Sequence, residues 1–386
     1  MPAYSYRMSS LVWVELDEGS PDHNLDQIRK SSGFRGIHCA VVKSNAYGHG
    51  VKEMVPLLSR AQWLAVNSLD EGLELRLNGE SRPVLVLGHV PLSRLAEARD
   101  RELRFIVCNS ETLDAIRKLP PSDKTINLHI KVETGTWRQG VLPEDVPAMA
   151  EEIAGIHGVV LDGIYTHFAN IEDTLNHRYA EMQLSRFQDV LRILKQRGLM
   201  PPVVHTACTA AALLFPATHF SMIRTGIGLY GLWPSNETKL SAESSEFGVP
   251  DFRPVLSWKT RIVQIKHVPA GSDIGYGGTY RTTRKSRIAV LPVGYADGYR
   301  RSIGNTGWVL VSGQRAPVVG RVCMNLCMVD VTDLSTVRLE DEVVLLGRSG
   351  GEEISAELMG RWTGTINYEV VTGISPLLPR IVRKGE

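Results

Sequence analysis

Three things are scarce in this 386-residue chain, and each scarcity excludes something. Long apolar runs are missing. No stretch approaches the ~20 residues that span a bilayer, and the start, MPAYSYRMSSLVWVELDEGS, has neither a basic nor an apolar leader segment. Neither a secretory signal nor a membrane partner is expected. An excess of charge is missing: 43 Lys+Arg against 42 Asp+Glu leaves a formal net charge of +1, which gives no electrostatic case for nucleic acid. A cysteine framework is missing too. Cys39, Cys108, Cys208, Cys323 and Cys327 are odd in number and irregularly spaced. They read as free thiols of a reducing, cytoplasmic compartment. Cys323 and Cys327 have no matching His/Cys pair nearby, so no metal site is expected.

What is present is alternation. Eight apolar runs recur: 37–43, 63–68, 82–88, 103–109, 127–135, 161–169, 202–208 and 222–231. Their near-continuous apolar character fits parallel strands covered on both faces. Helical patterns separate them. Val51, Met54, Leu58 and Ala61 share one helical face across Pro56, and Tyr179, Met182, Phe187, Val190, Leu191 and Leu194 share another before a stop at Gly198. Eightfold strand–helix alternation predicts an α/β chain with a (β/α)8 TIM barrel over residues 16–250. The polar stretch 235–254 reads as a linker. Residues 251–386 hold shorter strands with fading helical periodicity and predict a mostly-β domain. Residues 1–15 hold a strand expected to pack with that domain.

Catalytic side chains of such barrels sit at the C-terminal strand ends. Here those ends carry Lys43, Asn67, His89, Asn109, Lys131 with Arg138, His167, His205 with Thr209, and Arg224 with Gly226 and Ile227. Carboxylates are scarce among them, which disfavours magnesium or calcium. A donor-rich, cationic mouth suits a phosphate or carboxylate. A lysine in such a place serves either as a point charge for phosphate or as a nucleophilic amine toward a carbonyl. Spacing alone leaves both uses open.

The stretch AVVKSNAYGHG around Lys43 resembles the pyridoxal-phosphate lysine motif of the alanine racemase family. IKVETGTWRQG, DGIYTHFA, HTACTAA, RTGIGLYG, GYGGTY, PVGYADGYRR, GRVCMN and TINYEV follow in the family's order, over nearly the whole chain. The resemblance implies a barrel followed by a β domain, working as a head-to-tail homodimer with pyridoxal 5'-phosphate as cofactor. It implies that Lys43 holds the cofactor and acts as one catalytic base. Tyr276, from the partner subunit, is the second base on the opposite face. It further implies that His167 contacts that tyrosine, and that Arg224 contacts His167 and faces the ring nitrogen. Tyr47, Thr209, Tyr368 and the N–H groups of Gly226 and Ile227 are implied for the phosphate. Arg138 and the N–H of Met324 are implied for the substrate carboxylate. Tyr295 lines the entry across the interface. Lys131 positions Arg138, and in many relatives that lysine is carbamylated. Barrel-type decarboxylases place glutamate where Arg224 stands. The chain departs from the family pattern at Cys208, Asn325, Glu133, Trp137 and Leu377. The expected activity is interconversion of L- and D-alanine, with a link to D-alanine supply for peptidoglycan. A broader racemase accepting serine or larger amino acids is the alternative, and a cofactor carrier without turnover is a third reading.

Overall fold

A computed structural model describes residues 10–174, 176–244 and 248–384. The chain divides into two compact units that do not follow it in simple order. One comprises Asp22–Ser44 and Leu58–Arg253, the other Met1–Pro21, Asn45–Leu57 and Pro254–Glu386.

Strands are numbered along the chain. β1 (Val12–Asp17) belongs to the second unit. The first unit carries β2 (Ile37–Val41), β3 (Trp63–Val66), β4 (Val84–Val86), β5 (Arg104–Val107), β6 (Ile126–Lys131), β7 (Val159–Tyr165), β8 (Val203–His205) and β9 (Met222–Thr225). They lie parallel in the order β8-β7-β6-β5-β4-β3-β2-β9. Backbone bonds from Ser221 N–H to Val204 O at 3.0 Å and from Arg224 N–H to Ala207 O at 2.9 Å close β9 onto β8, completing a (β/α)8 barrel. β3 and β4 are buried at every residue, as strands covered on both faces must be.

The second unit contains β10 (Leu256–Arg261), β11 (Gln264–Val268), β12 (Asp273–Ile274), β13 (Tyr280–Arg281), β14 (Ser286–Leu291), β15 (Trp308–Val311), β16 (Gln314–Pro317), β17 (Cys327–Asp330), β18 (Glu342–Ser349), β19 (Glu352–Ile354) and β20 (Arg380–Arg383). β1 lies inside its main sheet, β16-β15-β18-β10-β1-β20, antiparallel to β10 and parallel to β20. β11-β14-β17 form a second sheet, and β12-β13 form a short hairpin. Ile274, Ile288 and Val319 make a core cluster beneath that hairpin.

Three sequence expectations are corrected. The stretch 235–254 holds a helix, Asn236–Glu243, whose N-cap Ser235 Oγ accepts the Thr238 N–H at 3.0 Å. Only Thr238 and Ala242 of that helix are buried, too few to show as periodicity. Val51–Met54 forms one helical turn and Val55–Leu57 a 3-10 turn around Pro56, so Leu58 and Ala61 do not continue one helical face. In the helix Arg178–Gln196 the buried residues are Ala180, Gln183, Phe187, Val190, Leu191 and Leu194. Tyr179 and Met182 lie outside that set because the first turns of the helix serve the loops described next.

Candidate active site

Lys43 follows β2 at the barrel's C-terminal rim. Burial holds its amine below the ordinary lysine range, and the charge of Arg138 lowers it further against the opposing pull of Glu71. The residues after it are unusual. Lys43–Tyr47 is a single helical turn, and φ at Ser44, Asn45, Ala46 and Tyr47 is +54°, +54°, +52° and +52°, so the turn is left-handed. Four non-glycine residues in that region cost roughly 1–2 kcal/mol each, and the surroundings must impose the shape. Glu71 Oε1 accepts the Ser44 N–H at 2.5 Å, and Asn45 Oδ1 accepts the Val51 N–H at 2.9 Å. The Tyr47 carbonyl lies 3.0 Å from His49 Nδ1. Glu71 is itself anchored at N3 of a capping box with Ser68.

Lys131 ends β6. Burial, then Arg138 and Arg224, push its amine down to about 8. Its Nζ lies 3.4 Å from Gln139 Oε1 and 5.8 Å from the Tyr165 ring centroid. Arg138 stands on a loop organised by Glu133. That buried carboxylate accepts the Gly135 N–H at 2.7 Å and the Arg138 N–H at 3.2 Å. Burial raises its pKa, but backbone N–H donors from Trp137, Gly135, Arg138 and Thr136 outweigh it and leave the group ionised below the usual range. Trp137 sits at φ +51° and is 75% exposed. The helix Arg178–Gln196 braces this loop from behind: Tyr179 Oη donates to Gly135 O at 2.7 Å, and Arg186 Nη1 to Thr134 O at 3.0 Å. Gln183 Nε2 donates to Thr134 Oγ1 and to the His167 carbonyl. A polar Gln183 is buried in a helix face for that reason.

His167 is pushed down to about 3, by burial first and then by Arg224, Arg138, Lys131 and Lys43. It stays neutral at physiological pH. Among the described residues no hydrogen bond joins Arg224 to His167. Arg224 Nη1 bonds His205 Nδ1 at 2.5 Å, and Nη2 bonds the carbonyls of Thr166 and Thr206 at 3.0 and 3.2 Å. Thr209 Oγ1 accepts N–H groups from Gly226 at 3.2 Å and Gly228 at 3.5 Å. A Cβ on Gly228 would come within 2.6 Å of Thr209 Cγ2, so only glycine fits there.

In the second unit, Tyr47 and Tyr368 lie with ring centroids 6.2 Å apart. Arg380 Nη2 clamps the Gly48 carbonyl at 2.8 Å. Tyr276 projects from the turn of the β12-β13 hairpin between Gly275 and Gly277, both at positive φ, and is 70% exposed. Tyr295 and Met324 are brought together by their backbones: Tyr295 N–H donates to Cys323 O and Ala296 N–H to Met324 O, both at 3.0 Å. Glu71, Glu133, Gln139 and Gln183 were not among the sequence-derived site residues. The Ser68-x-x-Glu71 capping pattern was the one signal pointing to Glu71.

The arrangement fits a phosphorylated carbonyl cofactor. It pairs a lysine of depressed basicity with a surround of Arg138, Lys131 and Arg224. The fully buried Tyr165 hydroxyl among them has no partner within the described residues. Among the described residues no group of His, Cys, Asp and Glu is placed to hold a metal. Residues 16–234 match the alanine racemase N-terminal domain and residues 255–382 the alanine racemase C-terminal domain.

The chain belongs to the alanine racemase family. An alanine racemase of Halothermothrix orenii is 40% identical over 377 residues, covering 97% of each chain. The crystal structure of a Bacillus anthracis alanine racemase with bound L-Ala-P superposes with a TM-score of 0.88 at 36% identity, covering 97% of this chain and 95% of that one. A histidine racemase from Leuconostoc mesenteroides superposes equally well, at 0.88, with 28% identity and coverage of 97% and 98%. A shared backbone therefore does not by itself choose the amino acid.

The buried histidines have a consequence for stability. His38 and His49 are held at about 4, and His167 at about 3, each chiefly by burial, against 6.5 for a free imidazole. The unfolded chain binds protons at these sites that the folded chain refuses. Their contribution is fully present above pH ~6.5 and is lost as pH falls toward 4, by up to roughly 1.4 kcal/mol per pH unit per histidine. Melting temperature measured from pH 7 to pH 4 is expected to fall progressively through that window. A flat profile would contradict the burial of these rings.

Proposed function

We propose that the protein is a pyridoxal-phosphate-dependent racemase that interconverts L- and D-alanine by a two-base mechanism. The observation that carries this reading is Lys43: an amine whose basicity is lowered by burial and by the charge of Arg138, at the start of a left-handed turn. Lys43 would hold the cofactor through Nζ. Tyr47, Thr209, Tyr368 and the N–H groups of Gly226 and Ile227 would hold its phosphate. Arg224 would face the ring nitrogen. When bound, the cofactor supplies the electron withdrawal that makes the α-proton of an amino acid removable.

The chain's own residues do the rest. Arg224 cannot give up its proton, so it presents a fixed donor, which limits the electron withdrawal and disfavours side reactions such as transamination. Arg138 and the Met324 N–H orient the substrate carboxylate, and Lys131 supports Arg138, with carbamylation of Lys131 giving it an anionic form. Lys43 moves the proton on one face of the α-carbon, and Tyr276 moves it on the other. His167 contacts the Tyr276 oxygen, and the nearby Arg224 cation favours the phenolate form. Tyr276 and Tyr295 reach the site from the other subunit of a homodimer. In this reading the enzyme is cytoplasmic and supplies D-alanine for peptidoglycan.

Purified protein given L-alanine should yield D-alanine, followed by chiral chromatography, with kcat/KM higher for alanine than for serine, lysine or histidine. A higher value for one of those would favour the broader racemase. No turnover of any would favour a carrier.

A further inference from the structure

A chain of buried polar side chains runs through the barrel interior behind Arg224. His205 Nδ1 meets Arg224 Nη1 at 2.5 Å, and His205 Nε2 meets His129 Nδ1 at 2.9 Å. His129 Nε2 meets Asp162 Oδ2 at 3.3 Å, and Arg104 Nε meets the same oxygen at 2.7 Å. Both histidines are fully buried. The tautomers follow by elimination. A guanidinium only donates, so His205 Nδ1 must accept and Nε2 must carry its proton. That proton points at His129 Nδ1, which must therefore accept, leaving the His129 proton on Nε2, aimed at a carboxylate. Burial keeps both rings neutral, with the Arg224 charge acting in the same direction. Burial raises the Asp162 pKa, but His129 and Arg104 outweigh it and hold the group ionised. Every donor runs one way, from Arg224 to Asp162.

The backbone is shaped to permit this. β6 and β7 pair Leu128 with Leu161 and then His129 with Gly163, so Asp162 is an extra residue, bulged out of a parallel ladder. Bulges re-aim side chains and are frequent beside active sites. The next residue must be glycine. A Cβ at Gly163 would lie 2.3 Å from His129 Cε1 and Nδ1. The Tyr165 ring stacks on His205 at 4.6 Å and 7°, and the Arg224 guanidinium sits 4.8 Å above that ring.

We propose that Asp162 is a positioning residue. Through His129 and His205 it fixes the polarity of the hydrogen-bond chain, so that a bare nitrogen always faces Arg224. With the polarity reversed, His205 Nδ1–H would point at Arg224 Nη1–H, two donors at 2.5 Å, and the guanidinium would be driven out of place. The inference rests on the reading of Arg224 as the residue beside the cofactor ring.

Neutron diffraction from deuterium-exchanged crystals of the holoenzyme tests it directly. Deuterium is expected on Nε2 of both His129 and His205 and absent from both Nδ1 atoms. Deuterium on either Nδ1 overturns the assignment. In solution, Asp162→Leu removes the terminal acceptor, whereas Asp162→Asn keeps an acceptor oxygen. Asp162→Leu is expected to lower kcat roughly 10–100-fold, as lost outer groups do behind other cofactor sites, with KM for alanine little changed, and Asp162→Asn to recover most of that loss. Equal losses in the two variants, or no loss in Asp162→Leu, would show that polarity is not what Asp162 contributes. Wild-type protein that fails to racemise alanine would instead refute the proposed function, while leaving the deuterium positions to be read on their own.

Discussion

Replacing Lys43 with alanine is expected to abolish racemisation and the covalent hold on pyridoxal phosphate together. Borohydride treatment of the wild-type protein should fix the cofactor to a single peptide, the one containing Lys43, and the variant should retain none. Loss of a general base alone costs ~10²–10⁴-fold. Here the same nitrogen is proposed both to anchor the cofactor and to move a proton, so the loss should reach at least the upper end of that range. The rival amine is Lys131, whose basicity is also depressed, to about 8. Its Nζ is directed to Gln139 Oε1, whereas Lys43 has only the remote pull of Glu71 opposing Arg138. Label recovered on Lys131 would transfer the anchoring role there. The variant should fold, because the bonds that impose the left-handed turn involve Ser44, Asn45 and Tyr47 and not the Lys43 side chain.

The barrel was legible in the sequence because parallel strands covered on both faces must be apolar along their whole length, and β3 and β4 are buried at every residue. Lys43 stood out for the same reason, as a charge where an apolar run stops. The turn that follows was invisible. Ser44, Asn45, Ala46 and Tyr47 carry no glycine to announce positive φ, and the Ser44 N–H that opens the turn is held by Glu71, distant in sequence. Asp162 was hidden differently. Alternation along a strand assumes an unbroken ladder, and the bulge against Leu128 and His129 shifts the faces midway along β7. Gln183 read as the polar side of a helix because periodicity counts hydrophobicity, whereas its burial is satisfied by Thr134, His167 and the Ala169 N–H. The segment 45–57 illustrates a limit of contiguous reading. Gly48 would place a Cβ 2.0 Å from the Val371 carbonyl oxygen, a close approach between stretches more than three hundred residues apart, and no local pattern reports that.

Tyr276→Phe is expected to lower racemisation of alanine by ~10²–10⁴-fold while leaving stability unchanged. Within its own subunit the ring is exposed on the β12-β13 turn, and the substitution keeps the ring and removes only the hydroxyl, so folding of the subunit should be unaffected. Loss of rate without loss of melting temperature would therefore point to the hydroxyl. An unperturbed phenol, near ~10, is poorly matched to neutral pH, so the proposed neighbourhood of His167 and the Arg224 cation, which favours a phenolate, suits the role. The forward and reverse kcat/KM values must fall equally, because the equilibrium constant ties them. The asymmetry should appear in exchange of the α-proton with deuterated water. If Lys43 serves D-alanine and Tyr276 serves L-alanine, the variant should still exchange D-alanine with retention, and L-alanine far more slowly. Equal exchange of both enantiomers would sink the assignment of one base to each face, even with racemisation lost. Full activity in the variant would remove Tyr276 from the chemistry altogether and turn attention to Tyr295, whose backbone is joined to the Cys323–Met324 turn, ahead of Tyr280, which packs against the Ile274, Ile288 and Val319 core.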